Sequence, residues 1–130
     1  MEPMNGNGQN LMRELLVGKR ILIVDDDEDY AEALEQIFQL QGCLVTRISD
    51  PIYALSYAIQ TNYDLIIADK NMPNIDGLEF VAHLKAKRPD AKIVMITAYP
   101  NEESRKKSLE LGVRYYLSKP FRKNDILEVA

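Results

Sequence analysis

The sequence predicts an α/β fold in which helices cover both faces of a parallel five-stranded sheet. Two observations lead to this prediction. Short apolar runs rich in Ile and Val alternate along the chain with stretches of helical spacing, and several of these runs are continuous. A continuous apolar run is typical of a strand that is covered on both faces, as strands of a parallel sheet are. Parallel strands also need crossover connections, which the intervening helices would supply.

Five apolar segments have the length and the branched residues that are typical of strands. They are residues 21–24, 44–48, 65–68, 93–96 and 113–117. Each is followed by a stretch that we interpret as a helix, so the chain consists of five β–α units. No repeat beyond this alternation is visible in the sequence.

Three of the predicted helices carry an apolar stripe with steps of three and four residues. The stripes are Tyr30, Leu34, Ile37 and Phe38 in the first helix, Ile52, Leu55 and Ile59 in the second, and Leu78, Val81 and Leu84 in the third. The fourth helix, residues 101–111, is strongly charged, and the fifth begins near residue 123. Glycines at 42 and 112 lie where the first and fourth helices should end.

The domain boundaries follow from composition. Residues 1–18 are predicted to be a flexible leader, polar at first and with a short helix over residues 11–17 that Gly18 ends. Residues 19–130 would form one domain. The fifth helix would span only about two turns, which is short. Either the sequence is cut at residue 130, or the natural protein continues there into an output domain.

Composition and charge exclude several classes of protein. No run approaches the roughly 20 apolar residues of a membrane span, and no secretory signal is visible. The net charge of −4 gives no support for broad electrostatic binding of nucleic acid by this domain. The single cysteine, Cys43, fits a reducing compartment. We therefore expect a cytoplasmic protein.

Polar residues follow four of the predicted strands at the point where each strand ends. Asp25 and Asp26 follow the first strand, Asp69 the third, Thr97 the fourth, and Lys119 comes after the fifth. Ligands of open parallel sheets bind at the carboxyl ends of the strands. We therefore expect these five side chains to lie together and to form a binding site.

The acidic residues at this edge predict a metal ion. Carboxylates about 5 Å apart repel by roughly 3 kcal/mol per pair at an effective dielectric of about 20. Lys119 alone cannot neutralise three of them, whereas a hard divalent cation prefers carboxylate ligands. The next three acids, residues 27–29, have a different role, because they fall in the first turn of a helix, where negative charge is favourable.

Four motifs, in this order, resemble the receiver domain of two-component response regulators. They are VDDDED from residue 24, DKNMPNIDG from residue 69, ITAY from residue 96 and YLSKPF from residue 116. The resemblance runs from residue 19 to the end of the chain. The segment DKNMPNIDGLEF, from residue 69, is especially similar to the phosphoacceptor segment of single-domain chemotaxis regulators. It implies a flavodoxin-like (βα)5 three-layer sandwich with strand order 2-1-3-4-5.

The resemblance also implies a function. Asp69 would take a phosphoryl group from a phosphohistidine of a sensor histidine kinase or from a phosphotransfer protein. Thr97 would bind the phosphoryl group, Lys119 would pair with it, and Tyr116 would be the aromatic switch residue. The switch would alter the surface of the fourth helix, fifth strand and fifth helix. The domain would catalyse only its own phosphorylation and dephosphorylation.

The metal ligands implied by the resemblance are those of a Mg²⁺ site. Asp26 and Asp69 would bind the ion directly, together with the backbone carbonyl of Asn71. Asp25 would act through a bound water. A homodimer linked to phosphorylation is a further partner that the resemblance allows. No membrane and no direct nucleic-acid contact is expected for this domain.

Two other readings remain open from the sequence. A phosphohydrolase of the haloacid dehalogenase type would use Asp25 as nucleophile, because Asp25 and Asp27 match its Asp-x-Asp signature. Glu28 and Asp29 do not match the residues that follow in that signature, and the chain is short for the fold. The other reading is a degenerate receiver that serves only as a binding module. A dinucleotide-binding domain is disfavoured because no glycine-rich fingerprint follows the first strand.

Overall fold

The computed structural model describes residues 14–130, in which five strands alternate with five helices. The strands are β1 (Arg20–Val24), β2 (Leu44–Ile48), β3 (Leu65–Asp69), β4 (Ile93–Thr97) and β5 (Tyr115–Ser118). The helices are α1 (Glu28–Leu40), α2 (Pro51–Gln60), α3 (Gly77–Lys87), α4 (Glu102–Glu110) and α5 (Lys123–Glu128). Each predicted β–α unit is therefore present.

The five strands form one parallel sheet in the order β2-β1-β3-β4-β5. This confirms the predicted fold class and strand order. The chain order reverses between β1 and β3, so the crevice above these two strands is the topological switch point of the sheet. Val24 pairs with Ala68, and Asp69 pairs with Ile96, which brings the ends of β1, β3 and β4 to one level.

Alternate side chains of the strands point to two apolar cores, one on each face of the sheet. Ile21 and Ile23 of β1 pack with residues of α1 and α5, among them Phe38 and Ile126. The opposite face of the sheet packs against α2 and α3 through a second cluster that includes Phe80. The central strands β3 and β4 are buried along their whole length, as their continuous apolar sequences predict.

Four helices begin at an Asp or Asn whose side chain accepts a backbone N–H of the first turn. The capping residues are Asp27, Asp50, Asp76 and Asn101. Such caps are worth about 1 kcal/mol each, and they fix the angle at which the chain enters the helix. In α1 the cap lies directly after the acidic pair at residues 25 and 26, so helix geometry holds that pair at the end of β1.

Some element boundaries differ from the sequence prediction. Asp69 and Thr97 are the last residues of their strands rather than the first residues beyond them. The fifth strand begins at Tyr115, two residues later than predicted, because Val113 is a buried residue of the preceding loop. In the leader, residues 14–16 are helical and Gly18 has a φ of 79°. The rest of the predicted leader, residues 1–13, lies outside the described residues.

Among the helices of residues 14–130, none is both long and apolar enough to cross a membrane.

Candidate functional site

Three aspartates meet at the carboxyl edge of the sheet, as the sequence predicts. Carboxylate oxygens of Asp25, Asp26 and Asp69 all lie within 4.8 Å of one another. Asp25 and Asp69 are buried, with relative exposures of 1% and 6%, whereas Asp26 is exposed. The crowding arises because β1 and β3 are neighbours in the sheet and end at the same level. The cluster of three aspartates therefore has two carboxylates that are shielded from solvent and one that faces it.

Lys119 provides the positive charge of the site. Its Nζ donates hydrogen bonds to Asp25 Oδ2 at 2.9 Å and to Asp69 Oδ2 at 3.0 Å. The Lys119 side chain is only 12% exposed. The peptide bond between Lys119 and Pro120 is cis. One ammonium thus donates hydrogen bonds to two buried carboxylates. With all groups ionised, the three aspartates and Lys119 together carry a net charge of −2.

Burial changes the protonation of this cluster. Desolvation raises the pKa of Asp25 from its ordinary value of 3.8 to about 6, although the Asp27 N–H and Lys119 favour the charged form. Desolvation also opposes the charged form of Lys119, but its hydrogen bonds to Asp25 and Asp69 outweigh that effect and raise the pKa of the ammonium. The site thus favours a protonated Lys119 and makes the charged form of Asp25 costly.

The raised pKa of Asp25 predicts a pH-dependent stability in metal-free buffer. Between about pH 4 and pH 6 the folded protein holds a proton on Asp25 that the unfolded chain has lost. The free energy of unfolding should therefore fall as pH rises through this window, by about 1.4 kcal/mol for each unit of pKa difference. Urea titrations with a chelator, at pH values across the window, measure this slope. The Asp25→Asn variant should lack this component, and an equal slope in both proteins would contradict the prediction.

Thr97 and Asn71 are joined on the β4 side of the site. The fully buried Thr97 hydroxyl donates to Asn71 Oδ1 at 2.9 Å, and its oxygen accepts the Tyr99 N–H at 3.0 Å. Asn71 in turn donates its backbone N–H to Asp69 Oδ1 at 2.9 Å. A chain of hydrogen bonds therefore links the end of β4 to the Asp69 carboxylate.

Tyr116 lies on β5, farther from the acids. Its hydroxyl shares a 2.5 Å hydrogen bond with Ser104 Oγ of α4. The Tyr116 side chain is half-buried and packs against the apolar cluster that includes Phe80. Tyr116 is thus in contact with α4 and with the sheet at once.

Gly77, the first residue of α3, lies against the loop that follows Asp69. Its N–H donates to Lys70 O at 2.7 Å. A Cβ at this position would be 2.6 Å from Lys70 Cα and 2.8 Å from Asp69 O, which are distances that real Cβ atoms essentially never show. Only glycine fits here, and the close contact holds the backbone of Asp69 in place.

Gly77→Ala should therefore affect both stability and the site. We expect a loss of about 1–3 kcal/mol in unfolding free energy, typical of overpacking, because the atoms that must shift are backbone atoms. The affinity for Mg²⁺ should fall as well, since the shift moves Asp69. Gly18→Ala is the control for Mg²⁺ affinity. Its positive φ of 79° makes alanine strained there too, but Gly18 lies at the other end of β1 from the acids, so this variant should lose stability without losing affinity for Mg²⁺. Equal Mg²⁺ affinity in all three proteins would disprove this role of Gly77.

The structure brings together the predicted acids, Lys119, Thr97 and Asn71, whereas Tyr116 contacts Ser104 of α4 instead. Two contacts were not predicted. Tyr30, expected only in the core stripe of the first helix, lies with its ring centroid 4.2 Å from Lys119 Nζ. Ser104, on the strongly charged fourth helix, is the partner of Tyr116. Nothing in the sequence indicates either contact, apart from the hydroxyl group that tyrosine and serine both carry.

The donor set fits a hard divalent cation. Mg²⁺ is typically bound by one or two carboxylates and keeps some of its waters. The exposed Asp26 carboxylate lies within 4.8 Å of the buried carboxylates of Asp25 and Asp69, so the cluster offers such ligands beside solvent. All three members of the cluster are carboxylates, which are hard oxygen ligands that suit Mg²⁺ better than softer metals.

Comparison with known proteins identifies the family. The profile described as "Response regulator receiver domain" matches residues 21–130. The chain belongs to the response regulator receiver domain family. Receiver domains are signalling modules, for which phosphorylation and magnesium binding are typical. Membership confirms the family that the four motifs predict and decides against the haloacid dehalogenase alternative.

Relatives of this receiver domain include longer regulators and single domains. Transcriptional regulatory protein PrrA of Mycobacterium leprae is 38% identical over 102 residues, which are 78% of this chain and 44% of PrrA. The chain thus spans less than half the length of that relative. The CheY-like receiver domain protein of Methanospirillum hungatei has a TM-score of 0.82 at 32% identity, covering 85% of this chain and 89% of the other.

A third relative carries a metal ion. It is the receiver domain of the sensor histidine kinase PA1611 from Pseudomonas aeruginosa, whose crystal structure has a magnesium ion coordinated in the active site cleft. Its TM-score is 0.78 at 28% identity, and the match covers 87% of this chain and 94% of that one.

Proposed function

We propose that this receiver domain accepts a phosphoryl group on Asp69 in a Mg²⁺-dependent reaction, with the phosphohistidine of a sensor histidine kinase or phosphotransfer protein as donor. The observation that carries the proposal is the placement of the Asp69 carboxylate. It is buried at the end of a central strand, 3.0 Å from Lys119 Nζ and beside two further carboxylates. The domain would catalyse only its own phosphorylation and dephosphorylation.

The reaction is a displacement at phosphorus. A carboxylate oxygen of Asp69 forms a bond to phosphorus while the bond to the donor's imidazole nitrogen breaks, and that nitrogen keeps the electron pair. The protein's part is mainly positioning and charge stabilisation. Lys119, 3.0 Å from Asp69, and the Thr97 hydroxyl, which is joined to Asp69 through Asn71, would bind oxygens of the transferred group.

The proposed metal ligands are Asp26, Asp69 and the backbone carbonyl of Asn71, with Asp25 acting through a water. The ion would supply positive charge between the anionic nucleophile and the anionic phosphoryl group. The relative with a magnesium ion in its active site cleft supports this assignment. Asp25 and Lys119, which form an ion pair at 2.9 Å, keep the inner wall of the site polar.

The direct test uses a small phosphodonor. With acetyl phosphate and Mg²⁺, intact-protein mass spectrometry should show one added phosphoryl group, and a chelator should prevent it. Trapping the acyl phosphate with borohydride and mapping the peptide should identify Asp69. Mapping to Asp25, or no incorporation at any Mg²⁺ concentration, would disprove the proposal. The second of these results would favour a degenerate receiver that only binds partners.

Phosphorylation should also change the surface formed by α4, β5 and α5. A phosphoryl group on Asp69 would compete with Asn71 for the Thr97 hydroxyl. A shift of Thr97 would reach Tyr116 through β4, because Tyr116 pairs with Met95, two residues before Thr97. NMR shift changes upon phosphorylation should therefore concentrate in this surface, including Ser104, the partner of Tyr116. The Asp69→Asn variant is the control. Changes confined to α1 and α2 would contradict this switch.

The remaining partners and the location are proposals of the same kind. We place the reaction in the cytoplasm, where a free thiol such as that of the buried Cys43 stays reduced. An output domain beyond residue 130 fits the longer relative PrrA, which is described as a transcriptional regulatory protein. A homodimer that forms on phosphorylation would use the surface of α4, β5 and α5.

A further inference from the structure

The ammonium of Lys119 is surrounded on three sides. Two of its neighbours are the carboxylates of Asp25 and Asp69, and the third is the ring face of Tyr30, whose centroid lies 4.2 Å from Nζ. This distance is well within the range of about 6 Å at which a cation is attracted to an aromatic ring face. Only 12% of the Lys119 side chain is exposed, so the attraction acts on a mostly dehydrated charge.

Tyr30 is itself held in place by contacts with Asp27 and Phe121. Its backbone N–H donates to the helix-capping carboxylate of Asp27 at 3.1 Å, in the first turn of α1. Its ring meets the Phe121 ring edge to face, with centroids 5.6 Å apart and planes at 89°. Burial raises the pKa of the Tyr30 phenol to about 12, so the ring remains neutral at ordinary pH. A fixed, neutral ring face is what a cation–π contact requires.

We infer that Tyr30 is a positioning residue of the phosphorylation site, whose ring face holds the Lys119 ammonium in line with the Asp69 carboxylate. This inference rests on the proposed function. A lysine has a flexible four-carbon stem, and two carboxylates alone leave the ammonium free to move toward water on its third side. The Tyr30 ring closes that side. When Asp69 becomes phosphorylated, the negative charge moves from its carboxylate onto the phosphoryl oxygens, and the ring then keeps Lys119 near those oxygens.

The test compares ring face, hydroxyl and packing at one position. Tyr30→Phe keeps the ring face, and Tyr30→Leu keeps apolar bulk without it. A third variant carries 3,4,5-trifluorophenylalanine at position 30, which preserves the shape but withdraws electrons from the ring face. Tyr57→Leu is the matched control, because Tyr57 is an exposed tyrosine on α2. All are measured with acetyl phosphate at saturating Mg²⁺, with thermal melts and Mg²⁺ affinities as checks on folding.

We expect the phosphorylation rate of Tyr30→Leu to be about threefold to thirtyfold below that of the parent, in keeping with the strength of cation–π contacts. Tyr30→Phe should be close to the parent, and the fluorinated variant should fall between Phe and Leu. The Tyr57→Leu rate should be unchanged. The fluorinated variant keeps the test valid even if Tyr30→Leu does not fold. Parent-like rates with the fluorinated ring, or a Phe variant as slow as the Leu variant, would overturn the inference.

A second readout does not depend on phosphorylation. In the metal-free protein the ε-methylene signals of Lys119 should be shifted upfield by the ring current of Tyr30. The shift should persist in Tyr30→Phe and disappear in Tyr30→Leu. If the parent takes up no phosphoryl group, the proposed function fails, while the ring-current shift still reports whether Tyr30 covers Lys119. If the parent is phosphorylated and this shift is absent, only the inference fails.

Discussion

Asp69→Asn should reduce phosphoryl incorporation from acetyl phosphate to an undetectable level, which is the largest effect expected of any single change. The carboxamide is not a nucleophile toward phosphorus, and the substitution also removes one of the charges that would bind Mg²⁺. Asparagine keeps only one of the two hydrogen bonds that the Asp69 oxygens accept, from the Asn71 N–H and from Lys119, so a thermal melt must first show that the variant is folded. Loss of activity in a folded variant would therefore reflect chemistry, and mass spectrometry against time measures it.

A matched control is Asp50→Asn. Asp50 caps α2 and lies after β2, away from the acidic cluster, and asparagine is an equally good helix cap. This variant should take up phosphoryl groups at the parental rate. If Asp69→Asn were phosphorylated as fast as the parent, the nucleophile would have to be another carboxylate, and the assignment of Asp69 would be wrong.

Lys119→Met should destabilise the metal-free protein by about 3–5 kcal/mol, the range found when one partner of a buried ion pair is removed. The substitution keeps most of the apolar stem but leaves Asp25 and Asp69 without a cation. The loss is costly because the side chains of these two aspartates are only 0% and 8% exposed. Added Mg²⁺ should restore much of the loss, because the ion replaces the missing positive charge and binds only the folded state. Urea titrations with chelator and with millimolar Mg²⁺ measure both effects.

Asp25→Asn should act in the opposite direction near neutral pH. It removes the most buried charge of the cluster, so the metal-free variant should be at least as stable as the parent and should gain less from Mg²⁺. In the double variant with Lys119→Met, the two effects should not add, since both change the same charge balance. Additive effects, or a metal-free Lys119→Met protein as stable as the parent, would show that the carboxylates are stabilised by other contacts.

Much of this fold could be predicted from the sequence, because it depends on the order of apolar and polar residues within short segments. Runs such as residues 65–68 are continuous and apolar, which is typical of buried parallel strands. Because parallel strands end at the same edge of the sheet, Asp25, Asp69 and Thr97 are expected at that edge. The predicted fifth strand begins two residues too early, because an apolar run does not distinguish the buried loop residue Val113 from a strand residue.

The finer geometry of the site could not be predicted, because it depends on side-chain direction across the sheet. Whether the Lys119 ammonium would reach one carboxylate or two depends on the path of the chain after β5. Tyr30 has the spacing of a core residue, and nothing in that spacing shows that its ring also covers Lys119. The close approach of Gly77 to Lys70 involves two backbone segments, for which a single glycine in a turn is a weak signal.

The burial of α4 has a consequence for how the molecule opens. The buried residues of this helix are Ser104 and Ser108, two small polar side chains, whereas α3 buries Phe80, Val81 and Leu84. Little apolar surface therefore holds α4 to the sheet, and its neighbour β5 is an edge strand that is partly exposed. This corner should be the cooperative unit with the lowest cost of local unfolding, while β1, β3 and β4 open only with the whole domain. A signal could thus be transmitted at the least stable corner without loosening the strands that carry Asp25 and Asp69.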